Sequence, residues 1–262
     1  MDSRIREHAE IVANHSVDLE AGDNVVVAAP PEAADLVTAL HEVIGDKGAN
    51  PLTVSANSRF SRAYLRASDG EFDTPEHEQA LIEAADVYIA IRADTNVTET
   101  SDVAPETNAA YSQARQPILS ERLSKRWCLT QYPAPANAQL AEMSTEAYEN
   151  FVWDAIVKDW DAVREFQSQM VEILDGADDV RIVSGETTDV TMSVAGNPTL
   201  NDYGEKNLPG GEVFTAPVAD SVEGEVLFDK PLYHQGREVT DVRLVFEDGE
   251  VVEHSAEKNE DV

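Results

Sequence analysis

The sequence predicts an α/β protein. An N-terminal βαβ domain with a largely parallel sheet covers residues 1–178, and the β-rich start of a second α/β or α+β domain covers 179–262. Three observations carry this reading. Continuous apolar runs at 25–29 (VVVAA) and 87–91 (VYIAI) have the pattern of strands buried on both faces of a parallel sheet. Segments of helical period separate the strands. After Asp178 the alternation gives way to short strands punctuated by Gly, Pro, Asn and Asp.

The elements follow in order. Residues 3–17 form an amphipathic helix, with Ile5, His8, Ala9, Ile11 and Val12 at helical spacing. A turn at Gly22-Asp23-Asn24 feeds the first strand, 25–29, and Pro30-Pro31 opens a helix striped by Leu36, Val37, Leu40, Val43 and Ile44. Gly48 stops that helix before the strand at 52–55 (LTVS), completing one βαβ unit. Thr74-Pro75 starts a helix through Leu81, Ile82 and Ala85 that leads into the strand at 87–91. Helix signals run through 105–124, and 127–131 reads as a strand ending at Pro133. The longest helical stretch begins at the cap Ser144 and carries Phe151, Ile156, Val163, Phe166, Met170 and Ile173 to Gly176, with a break. Strands follow at 181–183, 190–194, 213–214, 226–228, 239–246 and 251–252, with a hairpin turn at 247–250 (EDGE).

Composition excludes several functions. The 262 residues carry 51 Asp and Glu against 19 Lys and Arg, a formal charge of −32. Nucleic acids and anionic membranes need a basic footprint, so neither is a partner. The acid is spread along the chain, as on proteins that work in molar salt, where screening over a few Å quiets self-repulsion. No apolar run is long enough for a membrane span, and MDSRIREHAE lacks a signal-peptide core. The one cysteine, Cys128, fits a reducing, cytoplasmic setting and reads as core filling.

The chemical motifs are sparse. GxGxxG, GxxxxGK[ST], HExxH, GxSxG and CxxC are all absent. The histidines are scattered, and His8 and His15 read as solvated or partly buried residues of the first helix. Asp18, Glu20 and Asp23 read as surface acids. One segment is more informative: Asn207-Leu208-Pro209-Gly210-Gly211-Glu212-Val213-Phe214-Thr215-Ala216-Pro217 is a turn feeding a strand, with glycines for positive φ and prolines stiffening its ends. It would hold Glu212 still at the base of the strand, as a metal-binding oxygen donor must be held. Spacing alone favours the plainer reading, a turn with one solvated acid of 51. Tyr203 and Asn207 flank the segment and are candidates to line a cleft near Glu212.

The run NLPGGEVFTAP and the following VADSVEG resemble the signature of the thermophilic-type metallo-aminopeptidases, the aminopeptidase T, aminopeptidase S and PepS group. Arg126-Trp127, Tyr132-Pro133-Ala134, Met143-Ser144 and Tyr148-x-x-Phe151 stand in the order of that family. The resemblance implies an exopeptidase that removes N-terminal residues from peptides, as a homodimer, with two divalent ions, zinc or cobalt, activating water at the peptide carbonyl. It places Glu212 at the first metal-ligand glutamate. The family's other ligands, a second Glu, a His and Tyr pair and a His-x-Asp, would lie beyond Val262. Residues 179–262 are therefore expected to be part of a metal-binding peptidase domain, and this chain is expected to be inactive alone. The alternative is a short, non-catalytic homologue that binds peptides or dimerises.

Overall fold

The computed structural model describes residues 2–93, 95–234 and 237–261. Its contacts divide the chain into two units, residues 1–160 with 203–210, and residues 161–202 with 211–262. The sequence pattern changes at Asp178, whereas the contacts divide at Trp160. The difference is one helix, Trp160–Asp175, most of which is grouped with the second unit.

The first unit is built on a parallel sheet. Strands β1 (Asn24–Ala29), β2 (Asn50–Ser55), β3 (Val87–Arg92) and β4 (Arg126–Gln131) stand in the order β2-β1-β3-β4, and the short strand Asn207–Leu208 joins beyond β4. Every pairing in it is parallel. Val25 to Ala29 are all buried, because β1 is central and covered on both faces. β2 is an edge strand and leaves Leu52 half exposed.

Helices α1 (Ser3–Ile11) and α2 (Ala34–Lys47) pack against each other. Asp2 caps α1 by accepting from the Arg4 N–H, and Gly48 at φ 75° ends α2 in the left-handed conformation. The helix predicted over 3–17 changes character at Val12, where α1 widens into a π-helical turn over Val12–Ser16. Helix α3 (Ser58–Ala67) was not predicted, since its three arginines break up the apolar stripe and only Leu65 is buried. Further helices are α4 (Glu76–Glu83), α5 (Pro105–Ala114), α6 (Gln116–Ser124), α7 (Pro135–Leu140) and α8 (Thr145–Ile156). The expected break in the long helical stretch separates α8 from α9 (Trp160–Asp175).

The second unit is antiparallel. It contains β5 (Asp179–Ser184), β6 (Thr188–Ser193) and β7 (Leu200–Asp202); Asn207–Leu208, the fifth strand of the first unit, is β8. Then come β9 (Glu212–Phe214), β10 (Glu223–Phe228), β11 (Leu232–His234), β12 (Arg237–Val239), β13 (Val242–Glu247) and β14 (Glu250–Ser255). The strand predicted over 239–246 is two strands, because Asp241 turns the chain at φ 52°. The predicted hairpin turn joins β13 to β14 with Asp248 at φ 50° and Gly249 at φ 77°, as a two-residue turn of this hand requires. A Cβ on Gly249 would meet the Ala219 carbonyl oxygen at 1.8 Å, so only glycine fits.

The main sheet runs β14-β13-β10-β6-β5. Its register places Val180, Ile182, Val190, Met192, Val226 and Leu244 on one face. That face is incompletely covered: Ile182 is 49% exposed, and Phe228, on the same face, 52%.

Candidate functional site

The turn singled out in the sequence is anchored from within the first unit. Thr130 on β4 donates its hydroxyl hydrogen to the Leu208 carbonyl, at 2.8 Å. His8 Nε2 lies 2.6 Å from the same hydroxyl oxygen. Because the single hydroxyl hydrogen is given to Leu208, the histidine Nε2–H is the donor and Nδ1 is left as an acceptor. His8 is fully buried, its Nδ1 has no partner, and its ring stands edge-on to Trp153 at 5.4 Å. Burial lowers its pKa to about 3, so the ring is neutral. The sequence reading of His8 as a solvated or partly buried residue is thus corrected. A stripe position on an amphipathic helix was the available signal, and the apolar wall around it decides the outcome.

The segment before β8 is clipped a second time. The π-helical turn brings His15 Nε2 to 2.8 Å from the Tyr203 carbonyl, and Ser16 donates to the Gly204 carbonyl at 2.6 Å. Gly204 lies against Trp160, where a Cβ would stand 2.9 Å from the indole. The Tyr203 ring meets His15 edge-on and its hydroxyl donates to Glu205 at 2.7 Å. Asn207 pairs with Leu129 in the sheet. Tyr203 and Asn207 therefore belong to the first unit and Glu212 to the second. Asp23 is also corrected: it is buried, pairs with Arg126 and accepts from the Glu20 N–H at 2.7 Å. Cys128 is buried in β4, as core filling requires.

In the second unit the Gly211 N–H donates to the Asp202 carbonyl at 2.7 Å, with Gly211 at φ 104°. This starts the β7–β9 ladder, in which Asp202 stands directly opposite Glu212. Residues opposite each other in an antiparallel pair project to the same face, their Cβ atoms about 5 Å apart. Asp202 is buried and Glu212 exposed. The sequence reading missed Asp202, because cross-strand register is invisible before the pairing is known. Two carboxylates are hard oxygen donors, yet a catalytic zinc or cobalt site takes three or more protein ligands. Among the described residues there is no group of three or more His, Cys, Asp or Glu able to hold a metal ion. The donors among the described residues do not make a catalytic metal centre.

The sequence matches the family described as thermophilic metalloprotease (M29) over residues 1–262. The chain belongs to the M29 family. Among similar proteins, "Aminopeptidase 2" of Geobacillus stearothermophilus is 27% identical over 295 residues, covering 98% of this M29 chain and 71% of that protein. "Aminopeptidase T" of Thermus aquaticus is 28% identical over 291 residues, with 97% and 71% covered. The solved structure "Wild-type AmpT from Thermus thermophilus" superposes with a TM-score of 0.82 at 24% identity, over 99% of this chain and 72% of that one. The M29 chain thus has the AmpT fold, and its relatives carry additional residues. Among its described residues no helix is long and apolar enough to cross a membrane.

Proposed function

We propose that this M29 chain is the larger part of a metal-dependent aminopeptidase that removes N-terminal residues from peptides, and that residues 1–262 alone are inactive. Family membership over the whole chain, with relatives named aminopeptidases, supports the activity. The single observation that carries the second half is the donor count: Glu212 faces one further carboxylate, Asp202, and no third donor joins them among the described residues. The half-exposed apolar face of the second unit's sheet supports further polypeptide covering it, and the greater length of the relatives supplies a source for it. Two divalent ions, zinc or cobalt, a homodimer and a salt-rich cytoplasm complete the proposal.

The test is hydrolysis of leucine amide in molar KCl with added cobalt or zinc. The expected result for the 262-residue chain is no turnover; chelator-sensitive turnover would refute the donor argument. In a longer form containing further donors, Glu212→Gln is expected to weaken divalent-ion binding by about tenfold or more.

The same donor count favours a second reading, a short homologue that binds peptides or dimerises without catalysis. The intact mass of the protein from its native cell separates the two. A mass well above 28.6 kDa supports the enzyme, and a mass of 28.6 kDa supports the non-catalytic homologue.

A further inference from the structure

The strand order of the first unit creates a second place for a ligand. From β1 the chain moves outward to β2, then crosses back past β1 to β3. The connections leaving β1 and β3 therefore diverge, and a crevice opens outside their C-terminal ends, where open parallel sheets bind small molecules. A cavity of about 360 Å³ lies there, within the size range of such sites. It is lined by Pro30 and Glu32 after β1, Asn57 and Arg59 after β2, and Arg92 and Ala93 at the end of β3.

The charges in this cavity are unusual for this molecule. Basic residues are outnumbered 51 to 19 by acids, and most arginines are claimed: on α3 itself, Arg62 and Arg66 both pair with Asp102, and nearby Arg115 pairs with Glu78. Arg59 and Arg92 line the crevice with no acidic partner within 4 Å among the described residues. Glu32 shares the cavity and pairs with neither. Among the described residues, two guanidiniums and one carboxylate thus line one cavity without closing on each other. A guanidinium recognises a carboxylate through paired N–H donors, and a carboxylate recognises an ammonium.

We infer that this crevice binds a small zwitterion, a free amino acid or short peptide, with its carboxylate on Arg59 and Arg92 and its ammonium on Glu32. The inference is independent of the peptidase reading and needs no metal. The test is equilibrium dialysis of radiolabelled leucine against the 262-residue chain in EDTA, with N-acetylleucine and leucinamide as competitors. Leucine is expected to bind, with N-acetylleucine and leucinamide each at least tenfold weaker because each lacks one charge. Arg59→Gln with Arg92→Gln is expected to weaken leucine at least tenfold. Glu32→Gln is expected to abolish the discrimination against N-acetylleucine. All three side chains are solvent-exposed, and unchanged circular dichroism verifies that the variants fold. Absence of leucine binding, binding unaffected by these variants, or equal binding of all three compounds would overturn the inference. Because EDTA silences any metal chemistry, failure here leaves the aminopeptidase proposal standing, and an inactive enzyme leaves the crevice standing.

Discussion

His8 shows how one residue's environment sets a property of the whole protein. The folded chain keeps the ring neutral down to about pH 3, whereas the unfolded chain takes up a proton below its ordinary value of 6.5. The unfolded state thus binds the extra proton as the pH falls from 6.5 towards 3, so stability is full above that window and is lost through it. Thermal melts at pH 7 and pH 5 are expected to show a fall in Tm that shrinks in His8→Gln. Thr130→Val removes the hydroxyl shared by His8 and the Leu208 carbonyl. It leaves a buried donor and acceptor unpaired and is expected to cost about 1–3 kcal/mol in denaturant unfolding. Gly204→Ala is expected to cost at least as much, since its φ of 88° disfavours a side chain and the new Cβ would press into Trp160.

At the scale of elements, local signals were legible wherever they were self-contained. Gly48, Ser144 and the Asp248-Gly249 turn each act where the sequence placed them, because a cap or a tight turn is decided within a few residues. Ser144 accepts from the Ala147 N–H at 3.2 Å, and Ser144→Ala is expected to cost about 0.5–2 kcal/mol on thermal unfolding. Where partners are distant, the sequence was silent. α3 hides its one buried residue, Leu65, among charges, and the two-residue strand β8 is a strand only because β4 accepts it. Of the candidate site, Glu212 was visible through its Pro-Gly-Gly setting, whereas Asp202 reaches it only through cross-strand register. The π-helical turn was equally hidden, its purpose being to set His15 and Ser16 against carbonyls 188 residues away.

For the molecule as a whole, the charge of −32 is a constraint on solvent. The ion pairs are mostly exposed and each contributes little, so the unpaired excess of acid dominates the balance. Tm is expected to rise steeply between 0.1 M and 2 M KCl as the Debye length falls from about 10 Å to a few Å. A flat profile in KCl would show that the acid does not strain the fold in dilute buffer. The sheet topology carries a further meaning for how the protein is made. The first unit takes its fifth strand from residues 207–208, and residues 161–202, which belong to the second unit, are threaded between. A ribosome that has released only the first 160 residues has therefore delivered a sheet with its β4 edge bare and the Thr130 hydroxyl without its acceptor. Maturation of the N-terminal unit must wait some fifty residues of synthesis, about 3–10 s at ordinary elongation rates, leaving an open strand edge for chaperones or aggregation to find.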